Sequence, residues 1–160
     1  MDKELSFVGN MTMGFAKQIA DWVYTDEYSV YNMPSFIEMV NKNYSLVNPD
    51  RANDFLCFAI NNELIGYVKI NKKPNNTIYL GIGLKPNLTG KGLGKRVLTA
   101  SIEQVLLNYP NHKLMLEVRS WNIRAIKCYA AVGFKEVEIK TVLDHFGNQA
   151  EFVIMEYVKG

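Results

Sequence analysis

A β-rich run that enters a glycine loop, which in turn opens a helix, restricts this chain more than any other segment. Thr77-Ile78-Tyr79-Leu80-Gly81-Ile82-Gly83-Leu84 has the make-up of a strand and is closed by Pro86. After it comes Leu88-Thr89-Gly90-Lys91-Gly92-Leu93-Gly94-Lys95, and then Leu98, Ile102, Val105, Leu106 and Tyr109 recur at helical spacing. Alternate glycines let a backbone approach a ligand closely, and the first N–H groups of a helix have no partner inside it. Those donors and the positive end of the helix dipole make an anion site suited to phosphate. Lys91 and Lys95 add charge at the same place.

Spacing excludes two familiar phosphate loops. A nucleotide-triphosphate P-loop needs a glycine five residues before its Gly-Lys pair and a Ser or Thr after it. Here Thr89 stands at the first position and Arg96 follows Gly94-Lys95. The dinucleotide pattern G-x-G-x-x-G fails as well, because Lys95 falls where its third glycine belongs. As a bare turn, the same glycines would only reverse the chain between a strand and a helix.

A second segment adds specificity. In Asn122-Ile123-Arg124-Ala125-Ile126-Lys127-Cys128-Tyr129-Ala130-Ala131-Val132-Gly133-Phe134, Asn122 is a good helix N-cap and Gly133 a good left-handed stop. Phe134 then starts a strand. Between the two segments lie one helix and the run Leu114-Met115-Leu116-Glu117-Val118.

Together they resemble the GCN5-related N-acetyltransferase (GNAT) family. Its pyrophosphate loop reads Q/R-x-x-G-x-G/A, and its next motif reads N-x-x-A-x-x-x-Y-x-x-x-G-F. The first is matched at both glycines of Thr89-Gly90-Lys91-Gly92-Leu93-Gly94 and missed at its opening residue. The resemblance implies an α+β acyl-CoA N-acyltransferase fold: a mixed, mostly antiparallel seven-stranded sheet flanked by four helices. It implies one domain over 1–160, with an acyl-CoA core at about 55–134 and acceptor-side elements at about 13–45 and 135–158.

It also implies chemistry. Acetyl-CoA is the expected co-substrate, with no metal, and a primary amine of a small molecule or a protein is the expected acceptor. The alternative is a domain of this fold that binds or senses acyl-CoA without turnover. Thr89, Gly90, Lys91, Gly92, Leu93, Gly94 and Lys95 would hold the pyrophosphate. Ile82, Gly83 and Leu84 would grip the pantetheine arm; the alternative for Gly81 and Gly83 is steric room under a helix. Asn122 would contact the arm, cap its helix, or do both. Tyr129 matches the tyrosine that protonates the departing thiolate, a job open to a neutral phenol. Without the motif, it reads as an aromatic on a helix's apolar face.

The base is less defined. Some relatives carry a glutamate at the position of Ile78, and this strand has no carboxylate. Glu117 on the next strand is the nearest candidate, Tyr79 is a weaker one, and ordered water is the third option. His112 and His145 fall in turns. Acceptor contacts are expected from Tyr24, Asp26, Glu27, Tyr28 and Tyr31, and from Asp144, His145 and Phe146. Acidic and aromatic groups together suit a cationic amine.

Bulk properties narrow the alternatives. At 160 residues the chain can bury a substantial core, and its net charge of +2 without a Lys/Arg block argues against a nucleic-acid clamp. No apolar run reaches membrane-span length and the first residues lack a signal peptide's apolar core, so a cytoplasmic monomer or homodimer without a membrane partner is the expectation. Cys57 and Cys128, widely spaced, read as reduced packing residues.

The remaining pattern predicts a strand over 5–8, helices over 13–24 and from Pro34, and a hairpin of 55–60 and 64–70 across Asn61-Asn62. A second turn falls at Asn75-Asn76, and a last hairpin joins 135–142 to 151–158. The order is β-α-α-β-β-β-α-β-α-β-β.

Overall fold

A computed structural model describes residues 4–88, 92–144 and 146–158. The elements follow the predicted order: β1 (Ser6–Gly9), α1 (Met13–Ala20), α2 (Phe36–Asn41), β2 (Phe55–Ile60), β3 (Glu63–Lys73), β4 (Thr77–Leu84), α3 (Leu93–Asn108), β5 (Lys113–Arg119), α4 (Ile123–Val132), β6 (Phe134–Leu143) and β7 (Gln149–Tyr157). The strands form a seven-stranded sheet in the order β1-β2-β3-β4-β5-β7-β6. β4 and β5 run parallel, whereas β1/β2, β2/β3, β5/β7 and β6/β7 are antiparallel. The sheet is therefore mixed, as expected.

Most strand ends shift by one to three residues from the sequence reading, and three helix boundaries differ as well. The first helix ends at Ala20, not at 24, because the Asp21 N–H donates to the Gln18 carbonyl at 3.1 Å and the Trp22 N–H to the Ile19 carbonyl at 3.0 Å, closing it with tight i to i−3 bonds. Pro34 lies outside α2: Ser35 is the N-cap, its hydroxyl accepting from the Glu38 N–H at 3.2 Å. And α3 begins at Leu93, so Leu93, Gly94 and Lys95 belong to its first turn and not to the loop before it. The hairpin turns follow their asparagines. Asn61 and Asn62 have φ of 52° and 65°, and Asn75 and Asn76 have 63° and 53°. Two successive positive φ values are what a two-residue turn needs to match strand twist, and Asn tolerates them better than most residues.

Contacts divide the chain into two compact units, 1–69 with 82–93, and 70–81 with 94–160. In the first, α1 and α2 bury Ala16, Ile19 and Met39 in one cluster with Trp22, Phe55, Cys57 and Leu64. In the second, α3 buries Val97, Leu98, Ser101, Ile102 and Val105 along one face, as its spacing predicts. β5 is buried at Leu114, Met115, Leu116 and Val118, the near-continuous pattern of an interior strand, and Glu117 is the one exposed position between them.

Candidate active site

Of the glycine-loop residues, Thr89, Gly90 and Lys91 lie outside the described residues. Gly92 has φ of +78°, and a Cβ built on it would meet no atom within 4 Å. Its glycine is thus demanded by backbone conformation, not by crowding. Immediately after it α3 starts, with no acidic side chain in its first turn and with Lys95 and Arg96 exposed there. Among the described residues, an anion at this helix start would meet N–H donors and two cations, with no carboxylate in the first turn.

In the second unit α4 carries the other motif. Asn122 is buried, 7% exposed, and its side-chain oxygen accepts from the Ala125 N–H at 3.2 Å. It is the helix N-cap, as predicted. The helix stops at Gly133, φ +127°, whose N–H donates to the carbonyls of Tyr129 and Ala130. A side chain there would be strained by the backbone and would also stand 3.0 Å from Cε1 of Tyr157. Tyr129 is half-buried, with its ring edge-on to Phe134 at 6.5 Å, and Phe134 in turn packs on Tyr157 at 5.4 Å. So its ring is partly core, and it still reaches the surface. Beside it, burial raises the Cys128 thiol pKa, and the Lys95 ammonium partly offsets that. The charge at the start of α3 is therefore felt on α4, one residue from Tyr129.

The β4/β5 ladder covers three residue pairs, from Thr77–Lys113 to Tyr79–Met115, and β4 continues to Leu84. In the first unit that end of β4 is fixed by specific contacts. A Cβ on Gly83 would stand 2.3 Å from Cε1, 2.5 Å from Cζ and 2.8 Å from the hydroxyl of Tyr67. Gly83 thus leaves room for a ring of the neighbouring strand β3, not for a helix as the sequence alternative had it. Tyr67 is backed by Trp22 at 6.1 Å and Phe55 at 6.0 Å. Burial pushes the Tyr67 phenol up to about 12, with a smaller push from Cys57. The Lys85 N–H donates to the Ile65 carbonyl at 2.9 Å, and the Lys85 ammonium pairs with Glu63. The Tyr24 hydroxyl donates to the Leu84 carbonyl at 2.6 Å.

The other candidates divide. Glu117 is ion-paired with Lys140 at 3.5 Å, both side chains about one-third exposed. Ile78 is fully buried. Among acceptor-side residues, Asp144 is committed to the β6–β7 turn. It accepts from the Phe146 N–H at 2.9 Å and the Asn148 N–H at 3.0 Å, and pairs with Arg119 at 3.3 Å. These bonds, the Asn148 one foremost, hold its carboxyl below the usual range. Arg119 is itself held over the Phe152 ring at 5.0 Å. Phe146 is exposed, and His145 lies outside the described residues.

The sequence pattern of the acetyltransferase (GNAT) family matches residues 16–134, most of the chain. The chain belongs to this family. No curated protein matches it in sequence. Solved structures do match in fold. A spermidine N-acetyltransferase chimera from Vibrio cholerae is 19% identical, with a TM-score of 0.71 over 96% of this chain and 94% of the other. The ribosomal-protein-S18-alanine N-acetyltransferase of Escherichia coli is 18% identical, with a TM-score of 0.66 over 99% and 97%. A GNAT-family acetyltransferase from Bacillus anthracis is 13% identical, with a TM-score of 0.76 over 99% and 97%.

GNAT proteins use acetyl-CoA as co-substrate. Against that chemistry, two features escape a reading of the chain alone. The Tyr67–Gly83 contact joins residues with no shared motif, and the Tyr24–Leu84 hydrogen bond spans 60 positions. Only Gly83 inside a strand hinted at the first, and nothing local hinted at the second.

Proposed function

We propose that this GNAT protein transfers the acetyl group of acetyl-CoA to a primary amine of a small molecule or a protein. The observation that carries the reading is the cationic start of α3, where Lys95 and Arg96 are exposed and the first turn holds no acidic side chain. Lys95's charge is felt at Cys128, next to Tyr129. In this reading the first turn of α3, with Thr89 to Lys91, holds the pyrophosphate. The backbone of Ile82, Gly83 and Leu84 holds the pantetheine arm, and Asn122 adds a contact.

The amine nitrogen attacks the thioester carbonyl, the C–S bond breaks, and the amine's proton leaves to Glu117 or to ordered water. Tyr129 delivers a proton to the departing sulfur. A cationic acceptor fits the acidic, tyrosine-rich segment 24–31, and a polyamine and a ribosomal-protein alanine are named for two proteins of this fold. Residues 1–160 act as one functional domain.

Thermal shift with acetyl-CoA, CoA and ATP, followed by thiol release across a panel of amines, tests this. A ligand bound only by the native state adds about 2.7 kcal/mol at a hundredfold excess over its Kd. We expect that stabilisation from CoA and acetyl-CoA and little from ATP. Equal shifts for ATP and CoA refute the assignment. CoA binding with no thiol release on any amine supports the acyl-CoA-binding alternative.

A further inference from the structure

Between α1 and α2 the chain makes a short 3-10 helix, Asp26–Tyr31, carrying Asp26, Glu27, Tyr28 and Tyr31. Asp26 has φ of 55°, a conformation rarely adopted by a residue with a side chain. The base of this excursion is closed by one side chain. Asn32 accepts the Tyr24 N–H at 2.6 Å and donates to the Tyr24 carbonyl at 3.2 Å, so its amide copies a strand-like pair across eight positions. The same Tyr24 then reaches out with its hydroxyl to the Leu84 carbonyl at 2.6 Å, and its ring meets Tyr31 edge-on at 6.3 Å. One residue is thus both the hinge of the acidic segment and a ligand of the last residue of β4.

We propose that Tyr24 is a positioning residue that couples the acceptor segment 25–31 to the acyl-carrier end of β4, so that CoA bound along Ile82–Leu84 orders the segment that receives the amine. This rests on the acyl-CoA reading above. The physical reason is the rigidity at the other end of the bond. Leu84 follows Gly83, which is packed on Tyr67, and precedes Lys85, which is tied to Ile65 and Glu63. A ligand held along Ile82–Leu84 adds its own contacts to this supported end, damps the motion left at the Leu84 carbonyl, and so firms the anchor that the Tyr24 hydroxyl uses. The cost of holding the strained segment falls accordingly. No acceptor contact is needed for the effect, so it is measurable before the acceptor is known.

Hydrogen exchange read by mass spectrometry, on the full chain with and without saturating CoA, tests the coupling. In the parent, CoA slows exchange in peptides covering β4's end and in those covering 25–31. In Tyr24→Phe, which keeps the ring against Tyr31, β4 protection persists. Protection of 25–31 by CoA falls about threefold to tenfold, the worth of one hydrogen bond. Asn32→Ala, which opens the base of the same excursion, also loses the CoA response in 25–31 and keeps it in β4. Once an acceptor is found, Tyr24→Phe raises its KM and leaves the KM of acetyl-CoA unchanged. A purely structural role would move the melting temperature without this split.

A parent in which CoA protects β4 but not 25–31 overturns the coupling. So do variants that respond like the parent. In either case the acyl-CoA reading stands. A parent protected nowhere by CoA overturns both.

Discussion

Replacing Gly83 with alanine should lower stability, and the sign of the effect is the test. The φ of Gly83 lies outside the left-handed region, since among the described residues the glycines with positive φ are Gly9, Gly92, Gly133 and Gly147. At such a site alanine ordinarily stabilises by about 0.4–1 kcal/mol, by restricting the unfolded chain. Here the added methyl would stand 2.3 Å from Cε1 and 2.5 Å from Cζ of Tyr67, where unstrained carbons sit about 3.5–4.0 Å apart. The ring must therefore retreat by more than ~1 Å as a rigid body, and Trp22 and Phe55 stand against it. Overpacking of this kind costs about 1–3 kcal/mol. We expect a net loss in that range and, for a chain of this size, a Tm drop of about 2–12 °C. Thermal melts of Gly83→Ala in three backgrounds identify the cause. Tyr67→Phe removes only the hydroxyl, leaves both close carbons, and should not rescue. Tyr67→Leu removes the ring, and the cost of Gly83→Ala in that background should shrink by at least ~1 kcal/mol, the coupling expected of touching groups. A Gly83→Ala protein that melts at or above the parent's Tm refutes the reasoning.

Three further outcomes are expected. Tyr129→Phe should leave CoA affinity unchanged in calorimetry and lower steady-state turnover about a hundredfold, roughly 2.7 kcal/mol of barrier; that is the low end for a general acid, because a thiol of pKa ~8.5 leaves fairly well unaided, and turnover within about threefold of the parent would exclude the role. Gly92→Val should fold with a modest loss, about 1–2 kcal/mol for a side chain in left-handed backbone, and lose CoA binding by calorimetry; normal affinity would remove the glycine loop from the site. Above pH ~9 the protein should lose stability, since burial pushes the Cys57 thiol up to about 12 and the Tyr67 phenol to the same value. Both are neutral in the fold and ionise earlier when unfolded, so their stabilisation is complete below pH ~9 and is lost towards 12, at about 1.4 kcal/mol per pH unit for each group. Urea midpoints from pH 8 to 11 should fall less steeply for Cys57→Ala than for the parent, and identical slopes would contradict this.

How much of this was legible in the sequence depended on whether the cause was local. Asn122 and Gly133 declare a helix start and stop within twelve residues, and both do those jobs. Asn61-Asn62 and Asn75-Asn76 declare turns, because few other residues tolerate two positive φ values. The errors are local competitions decided by neighbours. Trp22 and Val23 keep helical spacing with Ile19, yet the Asp21 backbone already closes α1 and the Tyr24 N–H belongs to Asn32. Leu93 and Gly94 read as loop because glycine is a poor helix former, but a first helical turn makes few demands on propensity. Gly83 and Leu84 were legible as special and not in what made them so, since Tyr67 and Tyr24 come from other parts of the chain.

The geometry also sorts the residues first grouped as acceptor contacts. Asp144 spends its carboxylate on two backbone N–H groups and on Arg119, with its side chain only 8% exposed. Drawing it towards a substrate amine would strip the β6–β7 turn of its anchor and leave a largely buried Arg119 without its anion, an exchange of one ion pair for another with the turn lost besides. Asp26 and Glu27 are placed differently. Both are exposed, and among the described residues neither forms an ion pair. Their charge is not spent within the fold, and the strained backbone at Asp26 is held in place by the Asn32–Tyr24 clamp. Left-handed backbone held in place by its surroundings, beside unspent carboxylates and tyrosine rings, suits a binding segment. On the proposed acetyltransferase reading, a cationic acceptor would be read at 26–31, while Asp144 keeps its carboxylate for its own turn.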